Sequence, residues 1–193
     1  MTKRARLLGE CLIADGRFRL TRTSVEIEED DGAVHAIDHE IYHYKQAAAV
    51  LLYDATRGVV LLVRQFRLGA FLCDGALDLV EVCAGMLDDE PPDVSIARET
   101  WEEVGVRLSR LDHAFDIFTS PGGMTEKIAC FVAPYIAEDR KGEGGGVDAD
   151  EYITVIEMPF VDALRGISTG EIRDAKTIAL LYYAKAVGLF GAA

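Results

Sequence analysis

GMLDDEPPDVSIARETWEEVGV, residues 85–106, is the stretch on which the reading of this chain turns. Asp88, Asp89, Glu90, Asp93, Glu99, Glu102 and Glu103 fall within it, against one base, Arg98. Carboxylates this dense repel one another unless a cation is present. Acids and Pro91-Pro92 stand where a helix begins, and Gly105 where it ends. Val94, Ala97 and Trp101 recur at helical spacing and are expected to face a core, with Ile96 beside them. On that helix Glu99 and Glu103 are one turn apart on one face, and Glu102 flanks them. Like charges at this spacing cost a helix roughly 0.2–0.5 kcal/mol per pair. Oxygen-only ligands on a rigid helix suit hard divalent cations such as Mg2+ or Mn2+. For an arbitrary pair of glutamates a solvated acidic face is the commoner explanation.

Both sides of the stretch alternate between apolar runs and turns. Residues 1–45 look like strands with a turn at Asp30-Asp31-Gly32, a hairpin suited to covering a sheet edge or pairing with a second subunit. His35, His39 and His43 are four apart there, but on a strand that spacing is about 13 Å and does not converge on a metal. Ala47–Tyr53 and Val59–Val63 read as a hairpin of buried strands. Arg64 and Arg67 follow, and Leu77–Cys83 is a further strand that carries Glu81 into Ala84-Gly85. Beyond residue 106, 114–119 and 128–132 read as strands around the turn Ser120–Glu126. Residues 138–151 are a glycine-rich loop, expected to be mobile, that ends in Asp148, Asp150 and Glu151. A strand at 152–158 and helices at 159–165 and 176–189 complete the chain, with Lys176 near the start of the last helix. A cation there is unfavourable to the helix dipole, which favours an anionic partner.

At 193 residues, half of them hydrophobic, the chain is long enough for one domain with a sizeable core and a small appendage. Its net charge of −13 argues against nucleic acid or an anionic membrane as a main partner. Cys11, Cys73, Cys83 and Cys130 are scattered without a CxxC pair and read as reduced, as in a cytoplasmic protein. The N-terminal basic residues precede no apolar run long enough for a signal peptide or a membrane span.

Arg98-Glu99-x-x-Glu102-Glu103-x-Gly105-Val106, with Gly85 upstream, resembles the signature of the Nudix hydrolases. Thr100 stands where that signature has an aliphatic residue, and the Gly85–Glu90 loop is one residue short, while Glu90 keeps its distance to Arg98. VRQFR (63–67), EVCAG (81–85), SPGGMTE (120–126), GGGVDADE (144–151) and GEIRDAKT (170–177) extend the likeness to the branch that cleaves GDP-mannose, near that which cleaves ADP-ribose. The resemblance implies an α+β fold, an α/β/α sandwich with a mixed sheet at 46–193, plus antiparallel N-terminal strands at 1–45 that serve dimerisation and substrate contact. It also implies a cytoplasmic homodimer and Mg2+-dependent hydrolysis of a nucleoside diphosphate sugar, with Mn2+ as an alternative ion. Carried over, Ala84 (through its carbonyl), Glu99, Glu102, Glu103 and Glu151 hold metal. Glu103, Glu151 and Arg98 serve catalysis, and Arg67, Glu126, Lys176, His39 and Glu40 contact substrate. Asp38 and His39 stand where that branch has basic residues before a glutamate, which leaves ADP-ribose open as the substrate. A non-catalytic protein that binds nucleotide sugars is the rival from another class.

Overall fold

The computed structural model describes residues 3–146 and 152–191, and the chain divides into two compact units. The first unit holds residues 1–46 and 118–127. Strands β1 (Arg4–Asp15), β2 (Arg19–Glu28) and β3 (Val34–Tyr42) form an antiparallel sheet in that order. Ala33 N donates to Asp31 Oδ1 at 2.9 Å and Gly32 takes φ 84° in the β2–β3 turn, as an Asp-Gly turn requires. Tyr42 N donates to Gly123 O at 2.8 Å and Thr125 N to Tyr42 O at 3.1 Å, which ties the turn after Phe118 to β3.

In the second unit β4 (Ala47–Asp54) and β5 (Val59–Gln65) form a hairpin only near the turn, from Leu52↔Leu61 to Asp54↔Val59. Beyond it the two strands part. The segment after the short helix α1 (Leu68–Asp74) fills the gap: β6 (Leu79–Glu81) pairs with β5, and β7 (Cys83–Met86) pairs with β4. The expected single strand over 77–83 is therefore two, broken at Val82, whose N–H donates to Thr177 Oγ1 at 2.8 Å instead of to a strand. Strands β8 (Asp112–Phe118), β9 (Lys127–Pro134) and β10 (Thr154–Pro159) complete the sheet, in which β9 runs parallel to β4 and β10 antiparallel to β5.

Alternation along β4 divides the core. Ala47, Ala49 and Leu51 join Val60, Leu62 and the helices α3 (Phe160–Thr169) and α4 (Ala175–Ala186). Ala48, Val50 and Leu52 join Leu61, Val63 and helix α2 (Pro92–Val104) on the other face. The result is an α/β/α sandwich with a mixed sheet. Every residue of β4 except Tyr53 is buried, which is why it reads as one apolar run. No helix among the described residues is long and apolar enough to cross a membrane.

Helix α2 turns a face to the core that differs from the expected one. Ser95, Ile96, Thr100, Glu103 and Val104 are its buried residues, whereas Val94 is 50% and Trp101 36% exposed. Arg107 lies over the Trp101 ring at 4.4 Å. The glycine-rich loop, as far as it is described, is tied to α2. Gly145 N donates to Glu103 O at 2.8 Å and Gly146 N to Glu102 O at 3.2 Å, so the glycines satisfy carbonyls at the end of α2. Asp148, Asp150 and Glu151 lie outside the described residues.

Candidate active site

The acidic side chains of α2 meet the backbone of β7. Pro91 and Pro92 open the helix, and Gly105 at φ 71° closes it in the left-handed conformation. Glu103 is 4% exposed, and its Oε2 accepts the Ala84 N–H at 3.3 Å. Glu99 lies against Gly85, where a Cβ would fall 2.4 Å from the Glu99 Cγ and Cδ. The bare backbone of Gly85 is what admits that carboxylate beside β7. Ala84 is registered opposite Ala49 in β4, so its backbone is fixed by the sheet.

Arg98 gathers three acids, Glu90, Glu99 and Glu102. Its Nη1 lies 3.0 Å from Glu99 Oε1 and 2.9 Å from Glu102 Oε2, and its Nε lies 3.5 Å from Glu90 Oε2. The shortened Gly85–Glu90 loop still delivers Glu90 to Arg98, with Asp89 at φ 62° in the turn. Thr100 is fully buried, and its hydroxyl donates to Ile96 O at 2.6 Å. That bond within the helix is how a polar residue occupies a position suited to an aliphatic one.

Burial pushes the Glu103 carboxyl up to about 7; the Cys83 thiol opposes the shift and the charge of Glu99 adds to it. A buried carboxylate beside another carboxylate is the electrostatic situation a cation relieves. Glu99, Glu102, Glu103 and the Ala84 carbonyl offer only oxygen, the donor type that hard divalent cations take, but among the described residues no three carboxylate, histidine or cysteine side chains stand close enough together to hold a metal ion. Burial likewise drives the Cys83 thiol well above its ordinary range, so it is a neutral neighbour of the site and not a thiolate.

Arg67 and Lys176 converge on Glu81. Arg67 donates through Nε at 2.8 Å to Glu81 Oε1 and through Nη2 at 3.0 Å to Oε2. Lys176 Nζ lies 2.6 Å from Glu81 Oε2 and 2.9 Å from Asp174 Oδ1. Asp174 caps α4 by accepting the Thr177 N–H at 2.9 Å, which sets Lys176 in the first turn. Burial alone would raise the Glu81 carboxyl, but the hydrogen bonds from Arg67 and the charge of Lys176 hold it below the ordinary glutamate range.

Of the carried-over residues, Arg98 pairs with Glu99 and Glu102, Glu103 meets the Ala84 N–H, and Arg67 and Lys176 meet at Glu81. His39, Glu40 and Glu126 belong to the first unit, where Glu40 pairs with Arg22 at 3.0 Å and Glu126 accepts the Thr119 hydroxyl. Sequence reasoning gave Glu81 no partner and missed Asp174. The available signal was a carboxylate between Val80 and Val82, since a charge in an apolar strand requires a partner.

The Arg98-Glu99-x-x-Glu102-Glu103 run lies on a helix packed over a split β-hairpin, and the NUDIX domain matches residues 43–181. The chain belongs to the NUDIX domain family. It is similar to the GDP-mannose pyrophosphatase of Cronobacter sakazakii, with 40% identity over 191 residues that cover 98% of this chain and 99% of that protein. The GDP-mannose pyrophosphatase of Escherichia coli O139:H28 is 40% identical over 184 residues, covering 95% and 96%. A solved ADP compounds hydrolase shares the fold at a TM-score of 0.74 and 18% identity, covering 95% of this chain and 94% of that one.

Proposed function

We propose that the protein is a Nudix pyrophosphatase that hydrolyses a nucleoside diphosphate sugar, GDP-mannose in the first place, to a nucleoside monophosphate and a sugar phosphate. The full-length likeness to GDP-mannose pyrophosphatases is the observation that carries this reading. The intact acidic set on α2 supports an enzyme over a binding protein, because a binding module has no need of mutually repelling carboxylates.

Glu99, Glu102, Glu103 and the Ala84 carbonyl would hold the divalent cation, for which Mg2+ is proposed. When bound, the metal neutralises the pyrophosphate and acidifies water. Arg98 restrains Glu99 and Glu102 so that both present oxygen to the same place. Arg67 and Lys176 supply positive charge for the pyrophosphate oxygens. Glu151 is proposed to take the proton of the attacking water. The water oxygen bonds to one phosphorus, the bridging P–O bond breaks, and the bridging oxygen leaves with the other phosphate. Glu126, His39 and Glu40 are proposed substrate contacts, the last two from the N-terminal strands of a cytoplasmic homodimer.

Product analysis with Mg2+ tests the reading by offering GDP-mannose and ADP-ribose side by side. GMP plus mannose 1-phosphate is expected, and a Glu103→Gln variant should lose turnover by about 10³-fold or more while it stays folded. AMP plus ribose 5-phosphate alone would transfer the assignment to ADP-ribose. No product from either would sink the enzyme reading.

A further inference from the structure

Glu81 stands at a junction that the hydrolytic chemistry does not itself require. Its side chain is 1% exposed, yet it sits between two cations, Arg67 and Lys176. Arg67 meets it along the Nε–Nη2 edge, a fork that fixes the plane of the guanidinium and leaves the Nη1 edge outside the pair. Lys176 is 11% exposed and is held from the other side by Asp174. Arg67 is 44% exposed, so within this cluster it is the group that solvent or a ligand reaches most freely. The backbone beneath is equally constrained. Glu81 is registered opposite Val63 in β5, and the neighbouring Val82 N–H is bound to Thr177 on α4. The Thr177 hydroxyl in turn donates to Asp174 Oδ2 at 2.6 Å. One chain of contacts thus runs from the split hairpin through Glu81 to the start of α4.

A buried carboxylate with two cationic partners is a poor device for stability alone, because desolvation offsets most of the attraction. It is a good device for orientation. We propose that Glu81 is a positioning residue for diphosphate recognition: it holds Arg67 and Lys176 in one fixed arrangement, from which the free edge of Arg67 meets the ligand. This rests on the reading above that the site takes a diphosphate. Glu81 does not touch the ligand and acts through Arg67.

A double-mutant cycle tests this, with GDP plus Mg2+ as the binding probe in calorimetry and GDP-mannose as the substrate for kinetics. Glu81→Gln should weaken GDP binding and raise KM about 10-fold or more, with a much smaller change in kcat. In an Arg67→Ala background the same change should add almost nothing. Full additivity in the two backgrounds, or unaltered affinity in Glu81→Gln, would overturn the proposal. If Glu81→Gln does not fold, Glu81→Asp and Arg67→Lys complete the cycle, since lysine cannot reproduce the fork and Glu81→Asp should then be silent. A wild-type protein that binds GDP but hydrolyses no nucleotide sugar removes the enzyme reading and leaves the cycle to decide on Glu81. A wild-type protein that binds no GDP overturns the positioning role.

Discussion

Glu103 is buried, and its carboxyl is raised to about 7, so the metal-free protein holds a proton there that the unfolded chain releases near the ordinary glutamate value. The folded state binds more protons between those two values, and stability therefore falls as pH rises through that window. Glu103→Gln removes the penalty. In chelator, urea melts should show the variant more stable than wild type at pH 8 by on the order of 2–3 kcal/mol, with the gap closing towards pH 5. A constant gap across that range would contradict a raised Glu103. Mg2+ favours the carboxylate, so its binding at pH 6.5 should release protons, seen as a dependence of the calorimetric heat on buffer ionisation enthalpy. Thr100 makes the opposite point. Its hydroxyl donates to Ile96 O within α2 and accepts only a long contact, 3.9 Å, from the Cys83 thiol. Thr100→Val should keep kcat/KM within about threefold and stability within about 1 kcal/mol of wild type. A larger loss would show that the hydroxyl matters to the site.

Helix α2 and the glycines that cap it behave as one element. Gly144 takes φ 69°, and a Cβ there would stand 2.5 Å from Glu103 O, a backbone atom with little room to yield. Gly144→Ala should therefore displace the last turn of α2, where Glu102 and Glu103 sit, at a cost of about 1–3 kcal/mol in stability. The expected kinetic result is a fall in kcat of roughly 10-fold or more. Gly122→Ala, where a Cβ meets nothing within 4 Å, is the control and should leave both unchanged. Equal effects of the two substitutions would remove the special role of the cap. The existence of α2 and both its ends were legible in the sequence, because proline and glycine mark them directly. Its core face was not. Ile96 and Val104 are the only large apolar residues on that face, with Ser95, Thr100 and Glu103 between them, so the apolar periodicity pointed to Val94 and Trp101 instead. Helix α1 was illegible for a related reason: none of its residues is buried, and an unburied helix writes no periodic pattern. The acids of α2 stood out because local repulsion needs an explanation, whereas the Glu81 junction depends on pairing across almost a hundred residues, which no local pattern records.

At the scale of the whole molecule, the N-terminal sheet carries exposed apolar side chains on its outer strands. Every residue of β1 is exposed, including Leu7, Leu8, Leu12 and Ile13, and Val34 and Ile37 are exposed on β3. A sheet of three strands usually hides one apolar face, and this one leaves apolar side chains of its outer strands open to solvent. The register of β1 against β2 slips between Leu7 and Gly9 and again between Leu12 and Ala14, which makes β1 a twisted edge. Such an edge is a poor template for open-ended strand addition, so a closed pairing with one copy fits it better than a growing stack. The proposed homodimer would cover this surface. Sedimentation should give a mass of twice 21.1 kDa at micromolar concentration. Leu7→Lys together with Leu12→Lys should shift the protein to the monomer, because two buried charges at such an interface cost several kcal/mol. If the N-terminal strands also contribute substrate contacts across the dimer, that monomer should lose affinity for GDP-mannose while it retains Mg2+ binding at Glu99 and Glu103. A wild type that sediments as a monomer would refute the assembly, and an active monomer with unaltered KM would separate dimerisation from the chemistry.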